Sequence, residues 1–111
     1  MNPALSLGEF EQITLLAILR LEENAYGVTI REEIASCTGR EPSPGALYTI
    51  LDRMEEKGMV RSWFGEATPQ RGGRAKRYFA VTKMGRASLI DAQRAYQSLL
   101  NGLNLLGDVD A

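Results

Sequence analysis

Apolar positions along the chain follow a helical period up to about residue 58 and a strand period from there to about residue 82, after which a helical period returns. From Leu7 to about Glu23, Ile and Leu fall on more than one side of a helical wheel. A helix apolar around so much of its circumference sits centrally or buries a second face against another chain. Ser6 and Glu9 have the spacing of a capping box, and Leu5 and Phe10 that of a hydrophobic staple, so the helix is expected to start near Leu7. A second, shorter helix is predicted over 27–38, with Val28, Ile30, Ile34 and Cys37 near helical spacing and Gly39 as a left-handed stop. The third helix announces both its ends: Ser43 as N-cap, Pro44 at the first helical position and Gly58 just past the last turn. Its stripe of Leu47, Ile50, Leu51 and Met54 is the i, i+3, i+4, i+7 pattern of a half-buried helix.

The segments "MVRSWF" and "RYFAVT" are β-branched and aromatic, and they flank "GEATPQRGGRAK", a loop of Gly, Pro and basic residues. That arrangement predicts a two-stranded antiparallel hairpin with a long tip. Thr82 then caps a final helix expected to run from Lys83 to about Leu106. Along it, Leu89, Ala92, Tyr96, Leu99, Leu103 and Leu106 alternate in steps of three and four, an a/d seam. A continuous helix of that length would reach about 36 Å, more than so small a domain can cover, which favours packing against a second copy in a two-fold dimer. The order of elements predicts a mainly α (α+β) winged helix-turn-helix: three helices, a two-stranded β-hairpin wing and a long C-terminal dimerisation helix. Residues 1–82 would form the DNA-binding unit and 83–111 the dimerisation helix and tail.

Length and composition agree with one small folded domain: 111 residues, 44% hydrophobic and 24% charged, a balance unlike that of disordered chains. No basic segment leads into an apolar core at the N-terminus, and the most apolar run, Ile13 to Leu19, is far short of the roughly 20 residues that span a bilayer. A cytoplasmic protein with no membrane partner is the expectation. Cys37 is the single cysteine, so no internal disulfide forms, and its place beside the Ile34 stripe predicts an inert core thiol. With no histidine, no zinc-spaced ligand set and carboxylate pairs that diverge on helices, catalytic residues, a metal site and cofactors are not expected.

Charge changes the picture more. Between Arg61 and Arg86 stand seven basic residues against Glu66 alone, leaving six basic and thirteen acidic residues for the rest of a chain with net charge -1. On the third helix, Gly45, Thr49, Asp52 and Glu56 face outward, with Tyr48 and Arg53 flanking them. The first exposed turns are therefore small or hydrogen-bonding and uncharged, at the positive end of the helix dipole. A helix entering a major groove N-terminus first needs this arrangement. Thr49 could read a base edge or a thymine methyl, Tyr48 could donate to a phosphate, and Arg53 could reach backbone or guanine. Asp52 is awkward there: it either pairs with a basic neighbour or marks the limit of insertion. The competing explanation for Gly45 and Ala46 is a tight helix crossing within the protein. In the tip, Gly72 and Gly73 allow close approach, while Arg71, Arg74, Lys76 and Arg77 neutralise phosphates or enter a minor groove. A nucleotide-binding loop is a weaker reading, because the GxxxxGK[ST] spacing is absent. A winged-helix module that binds protein or structured RNA is the alternative to duplex DNA, though a protein-docking wing has little use for so many cations.

"YG" at Tyr26-Gly27, "GALYTILDRMEEKGMV" from Gly45 to Val60 and "RGGRAKRYFAVTKMGR" from Arg71 to Arg86 together resemble the PadR family of bacterial transcription regulators, in its short form. The resemblance covers about residues 5–90. It implies a homodimeric repressor on a palindromic operator, with DNA contacts from Ser43, Pro44, Gly45, Ala46 and Tyr48 and a wing contact from Lys76. It also implies a dimer built on the last and first helices. Some short members bind flat aromatic molecules between the paired helices, which makes Trp63 and Tyr96 possible contacts for a small aromatic effector, beside their ordinary role in packing.

Overall fold

In the computed structural model, which describes residues 7–66 and 75–108, the elements follow in the order α1 (Glu9–Leu21), α2 (Gly27–Thr38), α3 (Pro44–Glu56), β1 (Val60–Phe64), β2 (Arg77–Val81), α4 (Lys83–Leu100) and α5 (Leu105–Asp108). A single 3₁₀ turn at Glu22–Asn24 joins α1 to α2. The winged-helix architecture expected from the period changes is the one observed.

The ends of the helices have local causes. Helix α1 starts two residues later than expected, because Glu11, not Glu9, accepts the N-cap amide of Gly8 at 2.9 Å. Ser6 and Leu5 lie outside the described residues. Ser43 Oγ accepts the Ala46 amide at 3.1 Å at the start of α3. At its end the Met59 amide returns to Met54 O and the Gly58 amide to Glu55 O, a Schellman reversal that requires the positive φ of 81° found at Gly58. Thr82 Oγ1 accepts the Gly85 amide at 3.0 Å and so starts α4.

Leu15 and Ile18 of α1, Ile30 and Ile34 of α2, Leu47, Leu51 and Met54 of α3, and Val60 and Phe79 of the hairpin form one core, closed at the α4 side by Leu89. Each of these side chains contributes about 1.5–3 kcal/mol by leaving water. The strands pair antiparallel from Val60↔Val81 to Phe64↔Arg77. A one-residue third rung, Tyr26↔Tyr78, with the Phe79 amide donating to Ala25 O at 2.9 Å, brings the start of α2 to the edge of the wing.

Two expectations are corrected. Helix α4 stops at Leu100, not Leu106: Asn101 leaves the helical region and Gly102 turns to φ 84°, so Leu103 and Leu106 fall beyond the seam's own helix. Cys37 is exposed rather than in the core. It stands on the last turn of α2, at the rim of a shallow apolar groove with Ile13 and Leu16, and its thiol faces the Glu33 carboxylate at 3.5 Å.

Candidate nucleic-acid interface

The first turns of α3, the start of α2 and the base of the wing meet along one groove, lined by Tyr26, Val28, Tyr48, Phe64, Lys76 and their neighbours. Three local features hold it open. Arg31 Nε donates to Pro42 O at 2.8 Å and fixes the connection between α2 and α3. The Gly65 amide donates to Lys76 O at 2.8 Å and carries the hairpin pairing one step past the strands. Gly27 lies so close beneath the Tyr48 ring that a Cβ there would overlap the phenol.

On α3 itself, Ser43, Pro44, Gly45, Ala46, Tyr48, Thr49 and Arg53 are all exposed. Among the described residues, and apart from its chain neighbours and the backbone of α3 itself, nothing lies within 4 Å of the place a Gly45 Cβ would take. A helix crossing at Gly45 is therefore not what requires a small residue there. Arg53 stands on the opposite flank from the wing, towards Lys57, whose ammonium pairs with Glu11 at 3.0 Å. Burial pushes the Glu11 carboxyl up, but the Gly8 amide and the Lys57 and Arg53 charges outweigh it and hold the group below the usual carboxylate range.

Of the expected wing residues, Arg71, Gly72, Gly73 and Arg74 lie outside the described residues. Lys76 sits at the groove with its ammonium 4.1 Å from the Tyr26 ring centroid, a cation–π contact that leaves the charge facing the groove. Arg77 lines the same groove, but its guanidinium is taken up by α3 and β1. Its guanidinium donates to Asp52 at 3.1 Å, to Glu55 at 2.6 Å and to Ser62 Oγ at 3.2 Å. Burial opposes that charge, yet the two carboxylates raise its pKa above the ordinary arginine value. Of the two alternatives open for Asp52 in the sequence, pairing with a basic neighbour is the one observed. The sequence held the signal, since Asp52 and Glu55 are one turn apart on the same flank of α3, but not the partner.

The basic segment is also divided in space. Arg86 lines a groove between α1 and α4 with Leu16, Leu19 and Ile90, away from the wing. On that side Leu89 is buried and Ala92 half-buried, whereas Tyr96 and Leu99 are 53% and 76% exposed and Leu103 and Leu106 lie bare beyond the helix end. Trp63 has less free surface than the sequence suggests: the Tyr78 ring stacks on it at 6.1 Å and the Arg61 guanidinium stands 4.8 Å from its centroid. Among the described residues no helix is long and apolar enough to cross a membrane, and no group of His, Cys, Asp or Glu is placed to hold a metal ion.

Residues 15–91 match a family model described as "Transcriptional regulator PadR-like family". The chain is 35% identical over 80 residues to the transcriptional regulator Rv3488 of Mycobacterium tuberculosis, covering 70% of this chain and 68% of that protein. Among solved structures it is similar to the complex structure of hsRosR-S4, with TM-score 0.69 and 25% identity over 91% of this chain and 80% of that one. It is also similar to a PadR family transcription regulator from hypervirulent Clostridium difficile, with TM-score 0.61 and 25% identity over 83% and 95% of the two chains.

Proposed function

The chain belongs to the PadR-like family of transcriptional regulators, and from that premise we propose that it is a homodimeric repressor that sets α3 into the major groove of a palindromic operator and lays the hairpin tip on the flanking backbone. The matched relatives are regulators of transcription, not enzymes. One observation carries the reading: Tyr48 on the first turns of α3 and Lys76 at the wing base line the same groove, and among the described residues nothing outside α3 crowds the place of a Gly45 Cβ. Ser43, Pro44, Gly45, Ala46, Tyr48, Thr49 and Arg53 supply the groove contacts, and Arg71, Gly72, Gly73, Arg74 and Lys76 the backbone contacts.

The dimer uses α4 and α1. Tyr96, Leu99, Leu100 and Ile90 leave an apolar surface beside Leu16 and Leu19 that a second copy would bury. If a flat aromatic effector binds in the cytoplasm and releases the operator, Tyr96 is the better contact, because it is 53% exposed while Trp63 already stacks on Tyr78 and lies beside Arg61.

The test is duplex binding against salt. Binding is expected to weaken steeply as salt rises, and Arg74→Ala with Lys76→Ala to lower affinity for every duplex and flatten the slope by about two. Salt-indifferent binding, or capture of protein or RNA in preference to duplex, would refute the operator reading.

A further inference from the structure

The Arg77 guanidinium is shared among groups from two elements. It bridges Asp52 and Glu55 on α3, bonds Ser62 on β1, and lies 4.9 Å from the Phe79 ring centroid. Glu55 closes the cluster by accepting the Ser62 amide at 3.1 Å and the Ser62 hydroxyl at 2.9 Å. The Arg77 side chain is 25% exposed against 61% for Asp52, so Asp52 is the member that faces outward.

An outward carboxylate on α3 is a liability next to phosphates, since like charges within a Debye length of about 10 Å repel. A guanidinium shared by Asp52 and Glu55 lowers the charge of that flank from -2 to -1, which weakens the repulsion. The same fork ties the base of the wing to side chains one helical turn apart. A planar five-donor group does this, whereas a lysine ammonium lacks the geometry.

Resting on the operator reading above, we propose that Arg77 is a positioning residue and not a phosphate contact: it clamps the wing base to α3 and halves the combined charge of Asp52 and Glu55 there. The sequence places it among the backbone contacts; its donors are instead occupied by Asp52, Glu55 and Ser62.

A double-mutant cycle on duplex binding tests this. Arg77→Gln is expected to weaken binding about tenfold, and Asp52→Asn to restore most of that loss in the Arg77→Gln background. In the otherwise unchanged protein, Asp52→Asn should change affinity less than about threefold. Arg77→Lys, which keeps the charge without the fork, should recover only part. Equal factors for Asp52→Asn in both backgrounds, with a salt slope flattened by about one in Arg77→Gln, would mean a direct phosphate contact and overturn the proposal. The clamp is measured without DNA by spin labels on Glu56→Cys and Glu66→Cys in a Cys37→Ser protein. Arg77→Gln should broaden the label-to-label distance distribution, and an unchanged distribution overturns the clamp. Absence of any duplex binding by the unaltered protein would instead sink the operator reading, with the label distances still deciding the clamp.

Discussion

The Tyr48 phenol lies directly over Gly27, with a ring carbon only 2.9 Å from the place a Cβ on that glycine would occupy. A residue on α3 is thereby seated on the first turn of α2, so the two helices meet at the groove through one tyrosine and the absence of one methyl. Gly27→Ala should push the Tyr48 ring off its seat. The obstructing atoms are the far end of a side chain that can swing away, so the expected stability cost is small, about 1 kcal/mol or less. Duplex affinity should fall by a larger factor, about tenfold, as it should for Tyr48→Ala. Thermal unfolding and a binding titration on the same sample check the pair, and a large loss of stability with intact binding would contradict it.

Thr49 is exposed at the centre of the outer face of α3. Thr49→Ala is expected to cost about 1–3 kcal/mol on the preferred operator and almost nothing on random duplex. Selection from a randomised duplex pool would reveal the change, and equal losses on both targets would show that Thr49 reads no base.

The bare apolar surface of α4 predicts association. Leu99→Glu places a charge where Leu99 is 76% exposed in the single chain, so its effect on the domain itself should be slight. In a dimer the same charge would be buried unpaired, and sedimentation should show a monomer. Unaltered sedimentation would remove α4 from the interface.

Acid should destabilise the fold through Glu11. Its folded-state pKa is depressed against an unfolded value near 4.3, so the stability it contributes is complete above that value. It is lost as pH falls through the lower, folded-state pKa. Glu11→Gln should therefore lower the melting temperature at pH 7 and make the decline below about pH 4 shallower. Parallel melting curves for the two proteins across that range would count against the Lys57 and Gly8 contacts as its cause.

Local signals read well in this chain because their causes are local. Ser43 with Pro44, Gly39, Gly58 and Thr82 each act within a few residues, and every one stands at the helix end it announced. The two strands of the hairpin followed from the same short-range pattern, while their register, with Val60 opposite Val81, came from the structure. The end of α4 is also a local event, at Asn101-Gly102, but the three-and-four spacing of leucines continues across it and masks the break.

What sequence determined alone, then, is the set of elements, their order, and a half-exposed third helix whose first turns carry no charge. Tertiary structure decided which cations are free. Lys76 and Arg77 are adjacent in the chain and line one groove, yet the Lys76 ammonium rests over the Tyr26 ring while the Arg77 guanidinium is taken up by Asp52 and Glu55. It also decided that Cys37 is exposed and that the Tyr48 ring is seated against Gly27. Partners such as Asp52 and Arg77 are far apart in sequence and meet only after the hairpin folds back, so no local pattern encodes the choice.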